Sequence, residues 1–196
     1  MRLALFLLGL PMLGAAQTHS WSTLNTAGSA RWSALAGAAW AHPADAASST
    51  FNPSLAAGSM GRQMVLSTGL LPSGLRLGHM SFGSQRSGWF YALGVDYLNT
   101  GLMPETSEVG AVLGEFRFQE SRPRLTLARS LGVKGGNKIL LGATVRWTLQ
   151  TASNFVAQAL STDLGATYVA DSGRFHAALV VQHVGFSLDP LGSTQE

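Results

Sequence analysis

The chain of 196 residues has no cysteine, few charges and no long apolar run outside its N-terminus. Without cysteine there is neither a disulfide framework nor a thiolate metal site, so hydrogen bonds and packing must close the fold. Charged residues make up 12% of the chain, about half the share usual in a soluble globular protein. The basic ones stand singly, and the formal net charge is only +3. No cluster tracks a phosphate backbone, which excludes a nucleic-acid partner. No stretch reaches the roughly twenty apolar residues that a spanning helix needs. If the mature chain enters a membrane, it does so as strands.

What is present is abundant glycine, 23 copies, and apolar residues at alternate positions. In 138–151, Ile139, Leu141, Ala143, Val145, Trp147 and Leu149 fall on one side of an extended chain. Leu140, Gly142, Thr144, Arg146, Thr148 and Gln150 fall on the other. This is the period of a strand, not of a helix. Twelve residues at about 3.3 Å each extend roughly 40 Å, and a tilt near 45° brings that to about the thickness of a bilayer's hydrocarbon core. An unbroken apolar face opposite glycine, threonine and arginine suits either a wall with lipid on one side and a polar interior on the other, or a strand of a soluble exported sandwich whose apolar side meets a second sheet.

The chain divides into three parts. Met1-Arg2, the apolar stretch 3–13 and the small residues Gly14-Ala15-Ala16 have the layout of an export signal over 1–16. Residues 17–61 are rich in Ala, Ser and Gly and lack alternation. Within them Asp45 is placed to cap a short alanine-rich helix, which Asn52-Pro53 ends because the residue before proline is driven out of the helical region. From 62 to 196 alternation dominates. The reading places eight strands at 62–71, 75–82, 89–98, 110–119, 124–131, 138–151, 160–170 and 175–183, with turns at Pro72-Ser73-Gly74, Ser121 to Pro123 and Asp171-Ser172-Gly173. The strand 89–98 carries Trp89 and Tyr97 at opposite ends of its apolar face, as in the aromatic girdles of membrane barrels. The longer connections, at 99–109 and 151–159, fall on opposite sides of such a sheet, against the pattern of barrels.

Charges on strands point inward by parity: Asp96, Glu115, Arg117, Arg146 and Asp163. Against lipid an arginine at the midplane would cost roughly 2 to 4 kcal/mol, so these residues are expected to line a polar interior and to pair with one another. No nucleophile motif surrounds His42, His79, His176 or His183, and His176 and His183 have opposite parity in one strand. No ligand spacing for a metal and no phosphate-cradling loop is found, so neither a catalytic residue nor a cofactor is expected.

On SARWSALAGAAWA at 29–41, DAASSTFNPSL at 45–55, YALGVDYLNTG at 91–101 and STDLGATYVADSGRFHAALVVQHVG at 161–185, the chain resembles the FadL-like outer-membrane barrels of Bacteroidetes. Within them it is similar to the PorV/PorQ family of the type IX secretion system, the later stretches favouring the PorQ branch. The resemblance implies an all-β, antiparallel transmembrane β-barrel of about 14 strands when complete, of which about eight stand here, with residues 17–61 as a plug in the lumen. Asp45, Asn52 and Pro53 would be the plug motif. It further implies a non-enzymatic part in export and surface attachment of secreted proteins, in contact with outer-membrane lipid and with PorU, PorV and PorZ-like components. The alternative within the superfamily is passage of a small hydrophobic molecule. PorQ-like proteins continue into further strands beyond the point matching Asp189, so the resemblance also implies a C-terminally incomplete copy.

Overall fold

A computed structural model describes residues 29–35, 40–41, 45–71, 74–153, 155–170 and 173–188; the expected export signal, the tail from Asp189, and parts of the turns at Pro72-Ser73 and Asp171-Ser172 lie outside them. The strands are β1 (Arg62–Leu70), β2 (Arg76–Arg86), β3 (Trp89–Asn99), β4 (Met103–Thr106), β5 (Val112–Phe116), β6 (Phe118–Gly132), β7 (Lys138–Ala152), β8 (Phe155–Ala170) and β9 (Phe175–Ser187). Seven of them form one antiparallel sheet in the order β1-β2-β3-β6-β7-β8-β9, and β4 pairs with β5 in a separate hairpin. The all-β antiparallel class is as expected. Among the described residues, β1 and β9 are free edges, and the sheet does not close on itself.

The strand expected at 110–119 and the turn at Ser121 to Pro123 are not what forms. Residues 112–116 belong to the small hairpin, and β6 runs unbroken through Pro123. Proline is tolerated there because β6 and β7 pair at Ser121↔Leu149 and next at Arg124↔Arg146, so the ladder already skips the position that has no N–H to donate. The strand count changes accordingly, and so do the connections. The ends joined by the β2-β3, β6-β7 and β8-β9 connections lie where β1 begins, here the proximal end. The excursion 100–117 and the short link 153–154 both lie at the opposite, distal end. The conflict over loop lengths disappears once β6 is one strand.

Parity holds along the sheet. On β7, Thr144, Arg146, Thr148 and Gln150 are buried while Leu141, Val145 and Trp147 are exposed. On β3, Phe90, Ala92, Asp96 and Leu98 are buried while Tyr91, Leu93, Val95 and Tyr97 are exposed. The buried face, here the inner face, is covered by two 3-10 helices, Ala46–Thr50 and Pro53–Gly58, beside a five-residue α-helix, Ala30–Ala34.

This covering segment forces the sheet to curl. Gln63 Oε1 on β1 accepts from Ala46 N at 2.9 Å, and Gln182 Nε2 on β9 donates to Phe51 O at 2.7 Å. Laid flat, β1 and β9 would stand about 29 Å apart, six spacings of about 4.8 Å, whereas the 3-10 helix between those two bonds spans only about 10 Å. Both edges bend towards the segment.

Candidate functional site

The inner face has two zones. In its proximal half, small residues make room for the covering segment: Gly142 on β7 pairs with Gly165 on β8 and with Ala128 on β6. A Cβ on Gly142 would come within 2.5 Å of Ser54 N and closer still to the Pro53 carbonyl, and one on Gly165 would collide with Asn52 Oδ1. Glycine is needed here for close approach and not for an unusual φ. On this platform Asn52, Ser54 and Thr167 close a ring of hydrogen bonds. Asn52 Nδ2 donates to Thr167 Oγ1 at 3.1 Å, Ser54 Oγ donates to Asn52 Oδ1 at 2.7 Å, and Thr167 Oγ1 donates to Ser54 Oγ at 2.7 Å. All three residues are fully buried.

The plug-motif residues are thus brought together as caps. Asp45 Oδ1 accepts from Ala47 N and Ser48 N at 3.0 and 3.1 Å, and its Oδ2 lies 3.5 Å from Arg31 Nη1. Asn52 Oδ1 accepts from Ser54 N at 3.0 Å, and Pro53 occupies the first turn of the second 3-10 helix, where no N–H is missed. Asn52 ends one helix, as expected, and also starts the next. Trp32 and Trp40 each pack on Phe51, with ring centroids 5.6 Å apart in both pairs.

In the distal half the inner face is charged. Asp96 pairs with Arg124, its register neighbour's neighbour on β6, and Asp163 Oδ2 lies 2.6 Å from Arg146 Nη2. Arg124 and Arg146 are themselves opposed in register, and each finds its carboxylate on the far side, β3 for one and β8 for the other. Arg122 Nε stands 3.4 Å from Glu120 Oε1, and Glu120 Oε2 accepts from Gln150 Nε2 at 2.6 Å. Arg146 Nη2 also donates to Thr50 O at 3.2 Å, which ties the charged zone to the covering segment. Three arginines and three acids are 5% exposed or less, and they are arranged as partnered pairs, as charges removed from water require.

Three of the five charges expected on the inner face, Asp96, Arg146 and Asp163, are there. Glu115 and Arg117 are not: both are exposed in and beside the β4-β5 hairpin, outside the large sheet. The residues that take their place, Glu120, Arg122 and Arg124, alternate cleanly with Ser121, Pro123 and Leu125, a signal legible once Pro123 is allowed inside a strand. His183 also moves. A bulge between Thr162 and Leu164 sets two β9 residues, Gln182 and His183, against Asp163, and His183 adopts φ 58° there. Both turn inward as a result. His183 Nδ1 lies 3.2 Å from Arg146 Nη1, and His176 Nδ1 lies 2.8 Å from Ala41 O, so the two histidines share the inner face although their spacing gives them opposite parity.

One contact has the outline of a nucleophile, base and orienting acid. His79 Nδ1 is 2.7 Å from Asp96 Oδ1, and His79 Nε2 is 3.2 Å from Ser81 Oγ. Ser81 is 1% exposed and His79 2%, while the other oxygen of Asp96 is held by Arg124. The group lies sealed inside the ion-pair network, closed to a substrate. Among the described residues no three carboxylates or histidines gather as a metal site.

The outer face is the reverse of the inner one. Met64, Leu66, Phe82, Leu93, Leu125, Leu164 and Leu179 are exposed in rows across the strands, Leu66 to 72% and Leu179 to 73%. A soluble monomer rarely exposes a contiguous apolar patch beyond a few hundred Å². Compared with known proteins, the chain matches no protein-family description, no curated protein and no solved structure.

Proposed function

We propose that this chain is wall and plug of an outer-membrane β-barrel, and that it serves export and surface attachment of secreted proteins as a PorQ-like component of a type IX secretion system. The single observation that carries the membrane reading is the inversion of the sheet: its charged face is buried and its apolar face is bare. In water that arrangement exposes what the hydrophobic effect would bury; in a bilayer it is the stable one. Trp89 and Tyr97 bracket the apolar face of β3 about 26 Å apart along the strand, which a tilt near 45° reduces to about 19 Å, within the roughly 25 Å height of such bands. Tyr97 Oη accepts from Asn99 and Gln119 at 2.9 and 3.1 Å, a polar handle suited to a headgroup boundary. The one long connection among the described strands, the excursion between β3 and β6, lies at the distal end and supports that end as the outside one.

The secretion role rests on the family resemblance, and partners of the PorU, PorV and PorZ kind come with it. The covering segment, bonded to both edges and seated on glycine, supports a sealed wall over a conduit for a small hydrophobic molecule. The sealed state of Ser81, His79 and Asp96 supports action by binding and not by catalysis. Fractionation with heat-modifiable gel mobility tests the barrel: recovery in the outer membrane with a mobility shift on boiling is expected, and a detergent-free periplasmic monomer would overturn it. Co-purification with PorU and PorZ-like proteins tests the role; a bound fatty acid without protein partners would favour transport.

A further inference from the structure

At the proximal end of the outer face, Trp89 on β3 is flanked in register by Arg86 on β2 and Arg129 on β6, so all three side chains share one face. The Arg129 guanidinium lies 5.0 Å from the centroid of the Trp89 ring, a cation held on an aromatic surface. Next to this pair opens a groove of about 470 Å³ whose walls are Leu127, Leu131, Leu141 and Leu164 and whose floor includes Ala143. The groove exists because Ala143 separates Leu127 from Leu164 along its rung. It is lined by aliphatic carbon and ends at a charge.

That charge is not spent elsewhere. Arg86 and Arg129 form no ion pair among the described residues, and Arg62, Lys134 and Lys138 add further cations to the same end. The described strands and turns there carry no acid, whereas the distal excursion holds Glu105, Glu108 and Glu115. An aliphatic slot that ends at the Arg129 guanidinium, with Arg86 on the other side of Trp89 and neither arginine in an ion pair among the described residues, fits a ligand with an apolar tail and an anionic head.

We propose that Arg86, Arg129 and Trp89, with the groove beside them, form a binding site for one anionic glycerophospholipid, its phosphate on the two guanidiniums and an acyl chain along the leucines. This rests on the membrane reading above and goes beyond it, because lipid contact in general requires no preference for a headgroup. A phosphate diester takes a fork of N–H donors from arginine in preference to a point charge. Each cation close to an anionic leaflet contributes about 1 kcal/mol, or roughly fivefold in affinity.

The test uses the full chain in bilayers of phosphatidylcholine containing either brominated phosphatidylglycerol or brominated phosphatidylcholine, with quenching of Trp89 obtained by difference from Trp89→Phe. The expected result is preferential quenching by the brominated phosphatidylglycerol, falling about fivefold in Arg129→Gln and further in Arg86→Gln/Arg129→Gln, with no change in Arg76→Gln at the distal end. Quenching by both lipids to the same degree, in the parent and in the variants alike, overturns the headgroup site while leaving the sheet in the bilayer. Quenching by neither overturns the membrane reading itself and the site with it. Loss of preference in Arg76→Gln equal to that in Arg129→Gln refers the effect to net charge and also overturns the site.

Discussion

Replacing Gly142 by alanine should unseat the covering segment, and the size of the effect follows from the contacts. An alanine Cβ would lie 2.5 Å from Ser54 N, and closer still to the Pro53 carbonyl, where ordinary contact begins at 3.4 Å, so the turn at Pro53 must withdraw by at least about 0.9 Å, 3.4 less 2.5. That stretches the bonds from Thr167 to Ser54 and from Asn52 to Thr167, now 2.7 and 3.1 Å, beyond useful range. Each is worth about 1 kcal/mol when buried, and the overpacked methyl adds about 1 to 3 kcal/mol. A total of about 3 to 5 kcal/mol raises the unseated population at least roughly 150-fold, at 1.4 kcal/mol per factor of ten. The absence of cysteine provides the assay: Ser49→Cys, nearly isosteric at a position 1% exposed, gives a single thiol beneath the segment. Its alkylation by a maleimide should be slow in the parent and faster by at least about two orders of magnitude with Gly142→Ala. Gly132→Ala is the control, since nothing lies within 4 Å of a Cβ there. Equal rates in the two glycine variants would refute the claim that the segment rests on Gly142.

Removing one member of the Arg146–Asp163 pair, as in Asp163→Ala, should lower stability by about 3 to 5 kcal/mol by stranding a buried cation; Arg146→Met/Asp163→Leu should recover most of it, measured as the temperature at which heat-modifiable mobility is lost. Asn52→Ala removes the hub of the hydrogen-bond ring and should cost about 2 to 3 kcal/mol, read in the same assay or as faster proteolysis of residues before β1. Glu115→Gln and Arg117→Gln, exposed in the excursion, should change stability by less than about 0.5 kcal/mol. A loss as large as that of Asp163→Ala would return those residues to the buried network.

How much of this was legible beforehand depended on local punctuation. Strand parity in 89–98, 138–151 and 160–170 needed only the alternation of apolar and polar residues, and it assigned Asp96, Arg146 and Asp163 to the face that is buried. The cap at Asp45 and the stop at Asn52-Pro53 were legible as well, being governed by neighbours within three positions, whereas the second role of Asn52 as cap of Pro53–Gly58 was not read. Pro123 misled, because proline signals a turn locally, while its admission to β6 depends on where the ladder with β7 skips, a fact of register. His183 misled likewise: period two presumes an uninterrupted ladder, and the bulge opposite Asp163 is a property of the β8-β9 pair. The join of Ser81, His79 and Asp96 required the pairing of β2 with β3, which no spacing within either strand discloses.

The order of the large sheet has one further consequence. With seven strands alternating in direction, β1 and β9 run the same way. Joining them directly would create a parallel seam, and placing two copies of the sheet side by side in one membrane orientation would create two. A ring in which every neighbour is antiparallel therefore demands an odd number of additional strands between these edges, bringing the total to the even count of bacterial outer-membrane barrels. On the proposed membrane reading, hydrocarbon tolerates no unpaired backbone at either margin, and the number of strands that would close this sheet is then fixed as odd by the direction of its two edges.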